Sequence, residues 1–179
     1  RQSDMSGVDP LPGYADYEKW LNELVTPEEV AAERYIDSPI ANPTAMIRRE
    51  SMEKYGGYED VEWAEDYDLW LRMLQAGERI GKVDRVLLDW YDSDSRVTRT
   101  SDRYSQDNFL KAKAFYLAKE PLIQELGASV AGAGRIGKKL ARWLKEFGVR
   151  VDCFFEVNER RIGNKIGGIL VKSDNRMEE

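Results

Sequence analysis

Residues 132–137 read Gly132-Ala133-Gly134-Arg135-Ile136-Gly137. They stand between a short apolar run, Ala128 to Ala131, and a stretch of helical periodicity from Ile136 to Phe147. Glycines at this spacing between a strand and a helix demand a tight turn and a helix packed close against the strand, which predicts a Rossmann-like β-α-β unit. Val151 to Val157 supplies the next strand and Ile169 to Lys172 the last. Glu156 ends the second strand roughly twenty residues beyond the loop, where an acid would meet a ribose. Two readings follow. Gly132, Gly134, Gly137 and Glu156 form a nucleotide site, or the glycines serve only a tight turn and close helix packing. The first strand offers little bulk, which favours the second reading.

Upstream of the loop, Tyr17, Trp20, Leu21 and Leu24 recur at helical spacing. Thr26-Pro27-Glu28-Glu29 is a capping box with proline at the first helical position, and its helix is expected to reach Tyr35. Ala41 to Ile47 reads as extended, and a helix from Arg49 stops at Gly56-Gly57. Arg79 to Val83 and Val86 to Trp90 read as strands, Tyr91 to Asp102 as a polar loop, and Arg103 to Lys119 as a long amphipathic helix. After Glu120-Pro121 the pattern changes, placing a domain boundary at Leu122 to Gly127. Residues 1–124 and 125–179 are thus two regions, and the fold class is α/β.

The chemistry open to such a chain is narrow. Histidine is absent from its 179 residues, which excludes Ser-His-Asp or Cys-His catalysis and a His-ligated zinc. Cys153 is the single cysteine and reads as a core residue. A net charge of -6 without a basic stripe argues against nucleic acid as a partner. No apolar run reaches the ~20 residues that cross a bilayer. The expected location is cytoplasmic, with a peripheral position on the inner face of the membrane as the variant. The chain opens at Arg1 without methionine and ends at Glu179 soon after an apparent strand, so both ends are expected to be cut points.

Trp63-Ala64-Glu65-Asp66-Tyr67-Asp68-Leu69-Trp70-Leu71-Arg72 starts a helix that Gly77 ends. Projected at ~100° per residue, Asp68, Arg72 and Gln75 share a polar side that should face solvent. Asp66 projects the other way, into the face formed by Leu69, Trp70, Met73 and Leu74. Backbone N–H groups of the first turn favour its anion, whereas burial beside Trp63 and Trp70 raises its pKa. Such a carboxylate suits a general base, although an acid at a helix start also serves simply as a cap.

Asn42-Pro43-Thr44, the Arg-Arg-Glu helix ending in Tyr55-Gly56-Gly57-Tyr58, and the Glu65-Asp66 helix start together resemble bacterial family-2 glycosyltransferases of the GT-A fold, over Asp16 to Ala118. The resemblance implies a C-terminal, acceptor-side part of a catalytic domain acting in polysaccharide biosynthesis. Asp66 would deprotonate an acceptor hydroxyl as it attacks the anomeric carbon of a nucleotide sugar, with inversion. Trp63 and Glu65 would shape the acceptor pocket, and Asn42 and Thr44 would line it where many relatives have His-Pro-Thr; Asn42 departs from that pattern.

The resemblance also implies a preceding nucleotide-binding half whose Asp-x-Asp motif holds a divalent metal, Mg or Mn, on the donor diphosphate. Asp92-Ser93-Asp94 has the spacing but lies after the Glu-Asp helix, and reads as a loop; no metal ligand is assigned. Arg96 and Arg99, in a stretch that often folds over the diphosphate, would supply charge-assisted contacts or remain solvated. The implied partners are a nucleotide-sugar donor and a carbohydrate or lipid-linked acceptor. Some family-2 glycosyltransferases carry a Gly-Ala-Gly domain after the catalytic one. Two alternatives stand beside this reading. An oxidoreductase centred on the glycine loop would use NAD, which is not expected because no Tyr-x-x-x-Lys group follows. A non-catalytic sugar-binding module would use the Trp and Tyr content.

Overall fold

The computed structural model describes residues 12–89 and 97–174. The chain forms two compact units, Arg1–Ser105 and Gln106–Glu179, in a mixed α/β architecture. The division falls ahead of the boundary expected near Leu122 to Gly127, because the helix beginning at Gln106 packs with the second unit.

In the first unit, α1 spans Pro12–Glu23 and α2 spans Pro27–Ala32. The Thr26 capping box forms as expected: Glu29 N–H donates to Thr26 Oγ1, and Thr26 N–H donates to Glu29 Oε2 at 2.8 Å. Asn42–Thr44 is a 3-10 turn where the sequence suggested extended chain. The proline fixes its own φ near the helical value, and Thr44 N–H closes the turn on the Ala41 carbonyl. Next comes α3, Arg49–Lys54. Its end is a Schellman closure in which Gly56 and Gly57, at φ 75° and 67°, turn their N–H groups back to Glu53 and Met52.

The centre of this unit is α4, Glu65–Gln75. Leu69, Trp70 and Met73 pack with Ile40, while Leu74 packs with Leu24 and Val30. Each such side chain contributes about 1.5–3 kcal/mol on full burial. The side of α4 expected to face solvent is also interior: Asp68 is only 1% exposed. It accepts from Arg72 Nε at 2.8 Å and from Trp63 Nε1 at 2.9 Å. Arg72 donates onward to the Tyr55 and Gly57 carbonyls and pairs with Glu59 at 3.0 Å. The turn after α3 therefore folds over this face and converts a polar stripe into a buried network. Tyr67, fully buried, donates its hydroxyl to the Arg34 carbonyl at 2.7 Å.

The strands expected at Arg79–Val83 and Val86–Trp90 do not form among the described residues. Lys82 N–H bonds the Val25 carbonyl, yet Val83, Val86 and Leu87 stay at least 64% exposed. A strand requires a neighbour to complete its ladder, and none of the described segments provides one. Beyond this stretch, α5 covers Val97–Thr100, and a 3-10 turn covers Asp102–Tyr104.

The second unit begins with α6, Gln106–Leu117, so the expected long helix is divided ahead of Gln106. Then follow α7, Pro121–Leu126; β1, Ala128–Ala131; α8, Arg135–Glu146; β2, Val151–Glu156; β3, Lys165–Ile166; and β4, Ile169–Ser173. The sheet order is β1-β2-β4-β3. β1 pairs β2 in parallel, β2 pairs β4 in parallel, and the short β3 returns antiparallel to β4. The β-α-β unit read from the glycines is thus present, while β3 is a hairpin strand that two residues were too few to announce. Val130, Phe154 and Val171 join Ala141 and Leu144 of α8 in one core. Cys153 is buried, with Sγ 3.3 Å from Ser129 Oγ.

Replacing Arg72 by alanine takes the guanidinium from the buried Asp68 carboxylate while the Trp63 hydrogen bond stays, and should lower unfolding free energy by about 3–5 kcal/mol. Urea unfolding of the chain should show that loss, with little change for Arg79→Ala, whose pair with Glu28 is exposed on both sides.

Candidate functional site

Asp66 occupies the second position of α4, behind an N-cap alanine that offers no side-chain cap. The helix start therefore leaves its N–H groups to the acids of its own first turn. Asp66 Oδ1 accepts the Tyr67 N–H at 2.7 Å. The carboxyl is half-buried, and that desolvation raises its pKa; the Glu65 charge adds to the rise, and the Tyr67 hydrogen bond opposes it.

Adjacent Glu65 is held differently. Tyr104 donates its hydroxyl to both Glu65 oxygens at 2.8 Å, and Arg103, itself paired with Asp60, lies 3.7 Å from Oε2. Burial, then the Glu65 hydrogen bond and the charges of Glu65 and Asp66, raise the Tyr104 pKa. Tyr58, 45% exposed, donates to Asn42 Oδ1 at 2.7 Å. Its pKa is raised by burial and by the charges of Asp66 and Glu65. The first unit thus gathers Asp66, Glu65, Asn42, Tyr58, Arg103 and Tyr104 at the start of α4, a polar group able to take a proton from, and hydrogen-bond, a hydroxyl-bearing ligand.

Trp63 and Thr44 stand apart from this group. Trp63 is 7% exposed and its indole N–H is committed to Asp68, so it acts beneath the site. Thr44 turns its hydroxyl to the Ala41 carbonyl at 2.7 Å. Arg96 and the side chain of Arg99 lie outside the described residues, as does Asp92-Ser93-Asp94. Tyr58, Arg103 and Tyr104 were not singled out in the sequence. Tyr58 carries one signal, its place after the Gly56-Gly57 turn; the other two carry none.

Neither of the two main hollows takes in Asp66. A hollow of about 960 Å³ in the first unit is lined by Ile40, Thr44, Met73, Lys82, Val86 and Leu87 among others. Burial lowers the Lys82 amine there to about 8. The hollow is a larger feature than the polar group at α4, and its walls are mainly apolar.

At the glycine loop, Gly132 has φ 86° and donates its N–H to the Phe155 carbonyl at 2.7 Å. At Gly137 a Cβ would stand 1.9 Å from the Gly132 carbonyl oxygen, while at Gly134 it would meet nothing within 4 Å. Glu156, 8% exposed, accepts at Oε1 from the Val157 and Asn158 N–H groups, and at Oε2 from the Ala133 N–H and Arg161 Nη1. The Asn158 N–H, Arg161 and the other N–H donors hold its pKa below the ordinary range. An acid so occupied ties β2 to the loop and has no lone pair left to serve a ribose as it stands.

No group of three or more Cys, Asp or Glu that could hold a metal ion occurs among the described residues. No described helix is long and apolar enough to cross a membrane. Compared with family models, with curated proteins and with solved structures, the chain matches none.

Gly137→Ala should destabilise the second unit by about 3 kcal/mol or more, because backbone rather than a flexible side chain blocks the methyl group. Gly134→Ala should stay within about 1 kcal/mol of the parent. Thermal unfolding followed by circular dichroism distinguishes the two, and equal effects would show that the third glycine is not a packing requirement.

Proposed function

We propose that the first unit is the acceptor side of a GT-A, inverting glycosyltransferase, with Asp66 as its general base. The observation that carries this reading is the half-buried Asp66 carboxyl in the first turn of α4, raised by desolvation and by the Glu65 charge. A base must be ionised yet hold a proton well enough to draw it from a hydroxyl, and a raised carboxyl does both.

In the transfer, Asp66 takes the proton of the acceptor hydroxyl as its O–H bond breaks. The oxygen forms a bond to the anomeric carbon from the face opposite the leaving group. The bond from that carbon to the diphosphate oxygen breaks, and its electron pair leaves with the nucleoside diphosphate. Tyr58 and Asn42 offer a hydrogen-bonding pair for a polyhydroxyl acceptor, and the Tyr104–Glu65 bonds fix the carboxylate next to the base. A magnesium or manganese ion on the donor diphosphate finds no cluster of ligands among the described residues, and no step at this site runs through it.

The exposed stretch Val83 to Leu88 supports the same reading. Its apolar residues face outward beside the 960 Å³ hollow, as strands would whose neighbours belong to a nucleotide-binding half.

Asp66→Asn in the full-length protein should lower turnover by about 10²–10⁴-fold with the fold retained. A carboxyl raised in the folded state contributes stability at low pH that is lost as pH rises through the folded pKa, so the amide should not lower the melting temperature at neutral pH. The acid limb of the activity profile should lie above about 3.9, the ordinary aspartate value. Glu65→Gln, which removes a raising charge, should move that limb to lower pH. The assay is turnover of a panel of nucleotide sugars against pH; near-parental turnover in Asp66→Asn would remove Asp66 from the mechanism.

A further inference from the structure

In the second unit a hollow of about 560 Å³ lies between α8 and the β3–β4 turn, away from the glycine loop's own residues. Its walls divide by chemistry. Ala141, Phe154 and Ile169 come from the core and make an apolar floor, extended by Ile166. Lys138, Arg142 and Lys145 of α8 make a basic rim, with Glu146 the one acid. The volume falls within the roughly 300–1,000 Å³ of small-molecule sites, which pair apolar walls with a few polar groups.

The rim cations are arranged on one side of α8. Lys138, Arg142 and Lys145 stand at i, i+4 and i+7, so they span roughly 10 Å at a rise of ~1.5 Å per residue. Arg142 is partly engaged, 3.9 Å from Asp107 and 3.7 Å from Glu146. Lys139, outside the hollow, is paired with Asp107 at 2.8 Å. Lys138 and Lys145 are exposed and have no ion-pair partner among the described residues. A chain of net charge -6 thus places two unpaired lysines and a weakly paired arginine along one apolar hollow. On the opposite wall, Gly167 holds φ 57° and has open space where a side chain would begin.

The geometry points to a binding site for a nucleoside diphosphate in this hollow, its ring system on the floor of Ala141, Phe154 and Ile169 and its two phosphates along Lys138, Arg142 and Lys145. A single phosphate engages cations within hydrogen-bond reach, whereas a rim of roughly 10 Å needs an anion extended over more than one phosphate. The apolar floor gives the ring its share, and a bare polyanion would leave that floor unused. This assignment concerns the second unit alone and stands apart from the transfer proposed for Asp66.

The test is calorimetric titration of the 179-residue chain with UDP and with ADP, and separately with pyrophosphate and with vesicles containing phosphatidylserine. The expected result is one nucleoside diphosphate per chain, weakened by added salt and weakened about tenfold or more in Lys138→Glu and again in Lys145→Glu. Gly134→Ala, whose new methyl group meets open space at the glycine loop, should bind as the parent does. Both lysines are surface residues, so these variants keep the core. The assignment is overturned by any of four results. Neither nucleotide binds at about 1 mM; pyrophosphate binds as tightly as the nucleotides; only the vesicles bind; or binding survives the double lysine variant and fails in Gly134→Ala.

Discussion

The buried ion pair between Asp68 and Arg72 organises the first unit. A carboxylate taken out of water is costly unless its partner and hydrogen bonds replace the lost solvent. Here Arg72 and Trp63 satisfy Asp68, and Arg72 carries the connection on to the Tyr55 and Gly57 carbonyls and to Glu59. One helical side chain thereby fixes the turn after α3 and the approach to α4. That turn also delivers Tyr58 to Asn42, so the polar group around Asp66 rests on an interaction one helical turn away.

The parts of the fold legible in the sequence are those decided locally. The Thr26 box, the Gly56-Gly57 closure and the strand-loop-helix around Gly132 each involve residues only a few positions apart, and each forms. What failed depended on distant neighbours. A helical projection assigned Asp68 and Arg72 to solvent because periodicity reports only the helix itself, not a turn folding over it. Alternating apolar residues at 79–90 had the composition of strands, but a ladder requires a second backbone, which no described segment supplies. The Glu65–Tyr104 bonds join residues far apart in sequence, and no spacing announces such a pair.

The glycine loop shows how a motif's context can be right while its familiar use does not follow. Gly137 is required by the Gly132 carbonyl, a packing reason sufficient to account for the third glycine without a ligand. Glu156 has the position of a ribose acid but is saturated by three N–H groups and a guanidinium. A dinucleotide would have to displace Arg161 or an N–H group before the acid could accept from a hydroxyl. The same bonds that hold its pKa low make that exchange unfavourable, so the loop serves architecture first.

Asp66 and Glu65 are consecutive carboxylates in one helical turn, yet their surroundings separate them. Glu65 accepts the Tyr104 hydroxyl, shared between its two oxygens, with Arg103 nearby, so it is held in place. Asp66 accepts its neighbour's N–H, is half-buried, and feels the Glu65 charge as repulsion. In the proposed transfer this difference gives the proton to Asp66, whose carboxyl is raised, and leaves Glu65 a positioning part. Tyr67 belongs to α4 itself but Tyr104 to a segment well after it, which is why the contrast emerges only once the first unit has folded.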